Sequence, residues 1–125
     1  MIKKEITLCG KAVTLAYCYA TEIAYKKLAE DDMLDYAKHA IESIQSERDP
    51  NTERTLYAII ACMMAYYKDE EKFPVKDKDI MDEATPVEFG TAMLTILNMR
   101  SEFYHVPKGE TGEKPSGGDG KEKNA

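Results

Sequence analysis

The chain has 125 residues, of which 43% are hydrophobic and 32% charged, a composition typical of one globular domain and unlike that of a disordered chain. The formal net charge of −6 argues against nucleic-acid binding. No apolar run approaches the ~18 residues of a membrane-spanning helix, and the N-terminus lacks the apolar core of a secretory signal. Three cysteines without a CxxC pair predict neither a disulfide framework nor a zinc ribbon, so we expect a cytoplasmic protein.

The first segment predicts a β-hairpin. Apolar residues alternate with polar ones on both sides of Gly10, which supplies the positive φ of a tight turn. An isolated hairpin is marginal in water, so one of its faces must pack on the rest of the chain. The residues of that face are Ile6, Leu8, Val13 and Leu15.

Two helices are predicted next from apolar residues spaced three and four apart. The first begins near Tyr19, and its predicted core stripe consists of Ala20, Ile23, Ala24 and Leu28. The second begins after Asp31 or Asp32 as the N-cap and ends before Asp49-Pro50. Its predicted stripe consists of Leu34, Ala37, Ala40, Ile41 and Ile44.

The third helix has the widest apolar face and is therefore predicted to be the central one. Pro50 or Asn51 opens it, and the centre of the core is expected at Leu56, Ile60, Met63 and Tyr67. Residues 73–78 are predicted to form a loop and residues 79–84 a short helix. The sequence Thr85-Pro86-Val87-Glu88 then predicts a capped start of the last helix, which ends near Val106-Pro107.

These elements predict a mainly α fold, in which a short N-terminal β-hairpin is followed by a compact bundle of four to five helices. We expect a single globular domain over residues 1–106. Residues 107–125 contain five of the seven glycines, four lysines and four acidic residues, so the charge of −6 lies in residues 1–106. Because the segment 107–125 has almost no apolar residues, it is predicted to be a flexible polar tail.

A search for catalytic chemistry yields one weak candidate. Asp32, Asp35 and His39 share a helix face at a spacing compatible with a divalent metal ion. The favoured interpretation is a solvated polar face with a helical Asp35–His39 pair. Because the cysteines have no evident histidine partner, they do not indicate a nucleophile. The sequence therefore predicts a protein that is not an enzyme and has no cofactor and no metal.

The aromatic composition indicates a binding protein instead. Eight tyrosines exceed what a core of this size can bury with every hydroxyl satisfied, and tyrosine is enriched at interfaces. The tyrosines that the predicted stripes leave outside the core are the candidates for a partner-binding surface: Tyr25, Tyr36 and Tyr66.

The layout resembles that of phage and prophage tail assembly chaperones, small acidic proteins encoded beside the tape-measure protein. Many of these begin with a hairpin that contains a Gly-Lys turn, as in Ile6-Thr7-Leu8-Cys9-Gly10-Lys11-Ala12-Val13-Thr14-Leu15. An alanine-rich helix (Leu56 to Tyr67), a loop (Phe73-Pro74 to Asp79), a last long helix (Thr85 to Tyr104) and a polar tail after Pro107 complete the likeness.

The resemblance implies a cytoplasmic chaperone that coats the helical tape-measure protein during tail assembly in the bacterial host. An apolar groove would cover the exposed stripes of that partner, and the net charge would keep the complex dispersed. The alternative hypothesis is a small adaptor or regulatory helical domain without a phage role, which includes self-association into a homo-oligomer. Neither hypothesis involves nucleic acid or a membrane.

Overall fold

The described part of the chain is mainly helical, with an N-terminal two-stranded hairpin followed by five helices, which confirms the predicted fold class. The structure, a computed structural model, describes residues 1–45 and 52–105. The strands are β1 (Ile2–Leu8) and β2 (Lys11–Tyr17), and the helices are α1 (Tyr19–Ala29), α2 (Met33–Gln45), α3 (Thr52–Tyr67), α4 (Asp77–Glu83) and α5 (Pro86–Tyr104). A 3₁₀ turn at Glu70–Lys72 follows α3. The predicted tail at 107–125 and the predicted boundaries at 49–51 and 106–107 lie outside the described residues.

The hairpin has the predicted turn and the predicted buried face. Leu8 pairs with Lys11 across a two-residue loop, in which Cys9 and Gly10 both have positive φ angles, 53° and 76°. Two consecutive positive φ angles are typical of a type I′ turn, whose twist matches that of the strands. All four residues of the predicted face are buried. β2 packs on α3 and β1 packs on α5.

One carboxylate links this turn to the start of α5. Glu88 Oε1 accepts hydrogen bonds from the backbone N–H groups of Cys9 (3.1 Å) and Thr85 (3.0 Å), and Oε2 accepts one from Gly10 (3.2 Å). The Thr85 hydroxyl oxygen accepts the N–H of Glu88 at 3.1 Å, which completes the predicted capping box. The N–H donors of Thr85, Gly10 and Cys9 lower the pKa of Glu88.

The central position of α3 is confirmed, although the core centre differs from the prediction. α3 contacts α1, β2, α4 and α5. Ile60 and Met63 are buried, whereas Leu56 and Tyr67 are half-buried. Tyr67 lies at the edge because its hydroxyl accepts the N–H of Thr14 on β2 at 3.0 Å. The most deeply buried residues of α3 are Thr55, Ala58, Ile59, Ala61, Cys62 and Met63.

The predicted core stripe of α1 is wrong. Thr21 and Tyr25 are the buried residues, and Ile23 and Leu28 are exposed. Thr21 sets the rotation of the helix, because its hydroxyl donates to the carbonyl of Ala16 (2.8 Å) and accepts the N–H of Cys18 (3.1 Å). These two bonds at the junction with β2 direct Thr21, and Tyr25 one turn later, into the core.

The predicted stripe of α2 is wrong by a partial rotation of the helix. Ala37 and Ala40 are buried as expected, but they are joined by Met33 and Tyr36. Leu34, Ile41 and Ile44 are exposed. Burial of the large Tyr36 and Met33 side chains removes more apolar surface from water than the alanines alone would. The helix start is as predicted, since Asp32 Oδ1 accepts the N–H of Asp35 at 2.9 Å. α4 begins at Asp77, inside the segment predicted to be a loop.

Candidate partner-binding surface

The structure places two of the three candidate tyrosines in the core, so their predicted surface position is wrong. Tyr25 has 0% and Tyr36 1% of its surface exposed. Their rings lie 5.7 Å apart between α1 and α2. The Tyr36 hydroxyl is hydrogen-bonded to that of Thr55 at 3.1 Å, which explains how a tyrosine is accommodated inside. Burial raises the pKa of both tyrosines, and the Asp31 carboxylate raises that of Tyr25 further.

Tyr66 is exposed, so its assignment to a binding surface remains a prediction. It has 40% of its surface accessible and lies near the end of α3. Its ring contacts that of Tyr67 edge-on at 4.8 Å, and the ammonium group of Lys3 lies 5.8 Å from its centroid. Tyr66 does not line the groove described below.

The structure does not group Asp32, Asp35 and His39, the weak candidate for a metal site, into such a site. Asp32 caps α2, and this hydrogen bond from the N–H of Asp35 lowers the pKa of Asp32. His39 is exposed on α2. Within residues 1–45 and 52–105, no three histidine, cysteine or acidic side chains are grouped so that they could hold a metal ion.

An apolar groove lies where α1, the start of α2 and the end of α5 meet. Its volume is about 530 Å³. Met33 is almost completely buried at this groove, while Tyr19, Ile23, Leu34 and Tyr104 line it with exposed apolar surface. The remaining lining residues are polar or charged: Glu22, Lys26, Asp32 and Arg100. The groove therefore combines exposed aliphatic and aromatic surface with a charged rim, as protein-binding surfaces commonly do.

Aromatic packing holds the end of α5 against α1 and so forms one wall of the groove. The ring of Phe103 lies 5.4 Å from that of Tyr17, 5.0 Å from that of Tyr19 and 5.1 Å from that of Tyr104. Edge-on and tilted contacts of this kind stabilise beyond the area they bury. They fix Tyr19 and Tyr104, which are 85 positions apart in sequence, on the same surface.

Glu22 is the polar anchor of this wall. Its carboxylate accepts the hydroxyl of Tyr17 at 2.9 Å and that of Tyr104 at 2.6 and 2.8 Å. Burial, followed by the hydrogen bond to Glu22, raises the pKa of Tyr17. For Tyr104 the hydrogen bond to Glu22 is the larger cause of its raised pKa. Both tyrosine hydroxyls therefore remain protonated and donate to Glu22. The hydrogen bond between Tyr104 and Glu22 holds α5 against α1.

The apolar surface continues from the groove along α2. Leu34, Ile41 and Ile44 lie along one side of α2 at spacings of seven and three, which are spacings of coiled-coil contact positions, and the buried Ala37 lies between the first two. The three large members, Leu34, Ile41 and Ile44, are each close to half exposed. Ten residues of helix extend this row by about 15 Å. We call the groove and this row together the α1/α2 surface.

Two other concavities formed by described residues are less apolar. One lies between the start of α3 and the α4–α5 junction, where Ile80 and Phe89 are buried and Met81 is exposed. The other, between β1 and α5, is lined by polar and charged side chains such as Lys4 and Asn98. Of these three concavities of the described residues, the one in the α1/α2 surface adjoins a row of exposed aliphatic residues on a helix.

The sequence prediction missed this site because it assigned the site's residues to the core. Ile23, Leu34, Ile41 and Ile44 belong to the predicted stripes of the first two helices. A detectable indication was present in α2, where Met33, Leu34, Tyr36, Ala37, Ala40 and Ile41 cover more of the helix circumference than one core-facing stripe. A helix of this kind has a second apolar face.

Comparison with known protein families, with curated proteins and with solved structures gives no match for this chain. No helix in the described part of the chain combines the length and the apolar character needed to cross a bilayer.

Proposed function

We propose that the protein is a tail assembly chaperone of a phage or prophage, which binds apolar helical segments of the tape-measure protein in the cytoplasm of the bacterial host. The α1/α2 surface carries the proposal, because it joins a groove with exposed apolar side chains to a row of exposed aliphatic residues on α2, and an amphipathic helix binds to surfaces of this kind. The resemblance in layout to this class of chaperones supports the choice of partner. The proposal requires no catalytic activity, cofactor or metal.

The size of the surface favours weak and reversible binding by each copy. Six large apolar side chains of the α1/α2 surface are about half exposed: Tyr19, Ile23, Leu34, Ile41, Ile44 and Tyr104. Covering them would contribute roughly 5–9 kcal/mol, taking about half of the value for a fully buried side chain. Association itself costs about 4–15 kcal/mol in lost freedom of motion. Such binding suits a chaperone that must be displaced when tail-tube subunits assemble around its partner.

Co-expression tests the proposal and the surface together. The tape-measure-like protein encoded next to this one should be insoluble alone and soluble with the unchanged chaperone. Ile23→Asp and Ile41→Asp should weaken this rescue, because each places a charge on the surface that the partner covers. Leu94→Asp is the matched control, since Leu94 on α5 is 50% exposed, close to the 47% of Ile41, and lies outside the α1/α2 surface.

The soluble fraction of the partner after centrifugation is the measurement, and the melting temperature of each variant shows that it is folded. Tyr66→Asp belongs in the same series, because the role of Tyr66 is still a prediction. A partner that is equally soluble with and without this protein would contradict the proposed function. Equal rescue by all variants would contradict the assignment of the surface instead.

The adaptor hypothesis has one observation in its favour. The coiled-coil spacing of the exposed Leu34, Ile41 and Ile44 would also suit pairing with α2 of a second copy. Light scattering coupled to size-exclusion chromatography distinguishes the two functions. A stable dimer that Ile41→Asp converts to a monomer, combined with no effect on the tape-measure-like protein, would favour the adaptor.

A further inference from the structure

We propose that the groove selects a partner helix that carries an aspartate or glutamate beside its apolar stripe, and that this carboxylate pairs with Arg100. The inference rests on the proposed function, because it specifies the chemistry of the helix that occupies the same groove.

Arg100 is a cation with no counter-ion within ion-pair distance among the described residues. It lies on α5 one turn before Tyr104, and its guanidinium group lies 4.8 Å from the centroid of the Tyr104 ring. Its Nε atom is buried and has no hydrogen-bond partner. The ion pairs in the described part of the chain are Lys4–Glu102 and Arg54–Asp31, and neither involves Arg100. The two terminal amino groups of Arg100 form no hydrogen bond or ion pair with the described residues, and a pair of such donors is suited to bidentate binding of a carboxylate.

The rim of the groove holds two acidic groups as well as two cations. The carboxylate of Glu22 accepts hydrogen bonds from the hydroxyls of Tyr17 and Tyr104. Asp32 accepts the backbone N–H of Asp35 as the cap of α2, and this bond and, to a smaller extent, the charge of Lys26 lower the pKa of Asp32. The charges of the rim therefore balance, and Arg100 differs from its neighbours because it forms neither a hydrogen bond nor an ion pair with the described residues.

The neighbouring apolar surface determines what kind of molecule brings the carboxylate. Tyr19, Ile23 and Leu34 border the groove. The part of α1 that lines the groove, from Tyr19 to Lys26, is about 10 Å long, which is two turns of a helix. A helix with an apolar stripe covers these side chains, and a carboxylate at the edge of its stripe reaches Arg100. A basic helix would instead place its cations against Arg100 and Lys26, which is unfavourable.

Three synthetic peptides test the charge preference independently of any phage protein. Each is an amphipathic helix of about 18 residues, roughly five turns, with the same leucine stripe and a single Glu, Gln or Lys at its edge. Binding to the isotopically labelled full-length protein is followed by NMR. We expect shifts at Tyr19, Ile23, Leu34 and Tyr104, and about tenfold tighter binding of the Glu peptide than of the Gln peptide.

Variants of Arg100 establish whether it is the selective group. Arg100→Gln should remove the preference for the Glu peptide, and Arg100→Glu should reverse it in favour of the Lys peptide. Lys4→Gln is the matched control, because it removes the same charge from an exposed pair outside the groove and should leave the preference unchanged. If Arg100→Gln unfolds the protein, Arg100→Lys keeps the charge, loses the bidentate geometry and should lower the preference.

The possible outcomes distinguish a failure of this inference from a failure of the proposed function. Equal affinity for the three peptides, or the same preference in Arg100→Gln, would overturn the pairing with Arg100 while leaving the chaperone function open. No shifts in the groove with any peptide would overturn the groove as a helix-binding site. Self-association of the free protein that Arg100→Gln abolishes would assign the groove to a second copy. Clear selection of the Glu peptide without rescue of a tape-measure-like protein would instead reject the phage function.

Discussion

The hydroxyl pair of Tyr36 and Thr55 tests how α2 packs on α3. The two oxygens are 3.1 Å apart, and both residues are buried, so each hydroxyl serves as the partner of the other. Tyr36→Phe keeps the ring and leaves the Thr55 hydroxyl without its partner. A buried polar group that loses its partner costs about 1–3 kcal/mol. We expect the free energy of unfolding to fall by about this amount, and the melting temperature to fall by about 4–8 °C per kcal/mol.

A double-mutant cycle isolates the interaction from other effects of the substitutions. Thr55→Val removes the second hydroxyl with little change of shape and should alone be destabilising for the same reason. The double variant leaves no unpaired hydroxyl, so its cost should be smaller than the sum of the two single costs. Urea unfolding followed by circular dichroism measures all four proteins, and unchanged slopes justify comparing their midpoints. Tyr66→Phe is the exposed control and should change stability by less than about 0.5 kcal/mol.

If Tyr36→Phe costs no more than Tyr66→Phe, and the costs of Tyr36→Phe and Thr55→Val are additive, then the Tyr36 hydroxyl is in water. α2 would then be rotated about its own axis into the orientation predicted from the sequence, with Leu34 and Ile41 buried. The α1/α2 surface would not exist in that arrangement.

Three further outcomes are expected. Backbone N–H donors lower the pKa of Glu88 in the folded protein below its ordinary value of 4.5. The stabilisation that the Glu88 carboxylate provides is therefore complete above pH 4.5 and is lost as the pH falls through the lower pKa of the folded state. Calorimetry should therefore show a lower melting temperature for Glu88→Gln than for the unchanged protein at pH 7, and this difference should disappear on acidification. A difference in melting temperature that does not depend on pH would contradict this. In urea unfolding, Ile59→Ala, at a fully buried site, should cost about 2–5 kcal/mol, whereas Ile23→Ala, at a site 58% exposed, should cost less than about 0.5 kcal/mol; similar costs would be inconsistent with the assigned faces. Cys62 is buried, and burial raises the pKa of its thiol, so it should react with Ellman's reagent only after unfolding; rapid labelling of all three cysteines in the native protein would be evidence against this.

Elements with local signals were predictable from the sequence. The hairpin turn depends on Gly10 and on the alternation beside it, and the start of α5 depends on the capping residues Thr85 and Glu88. In each case the stabilising interaction joins residues within a few positions of one another, so the pattern in the chain contains the information. The central helix was predictable for a related reason, because a helix that is apolar on most sides has few other places in a small fold.

The rotation of α1 and α2 was not predictable from apolar spacing. A prediction from apolar spacing assigns Ile and Leu to the core and leaves Tyr and Thr outside it. Thr21 and Tyr36 are nevertheless buried, because specific partners satisfy their hydroxyls. Those partners lie on other elements and cannot be inferred from helical periodicity. The same limit applies to the groove, since Tyr104 reaches it only through packing of α5 on α1. No local pattern in the sequence indicates that Arg100 has no counter-ion among the described residues.

The carboxylate of Glu88 fixes one end of a helix whose other end forms the groove. From Glu88 to Arg100 and Tyr104, α5 runs about 18 to 24 Å without a break, and a helix of this length moves much like a stiff rod. A small tilt at the end held by the hairpin turn would therefore become a larger displacement of Arg100 and Tyr104. Under the proposed function, substitutions at the turn would change binding in the groove without contacting the bound helix. A screen for loss of binding would then recover two separate groups of positions, one at the groove and one at the far end of α5.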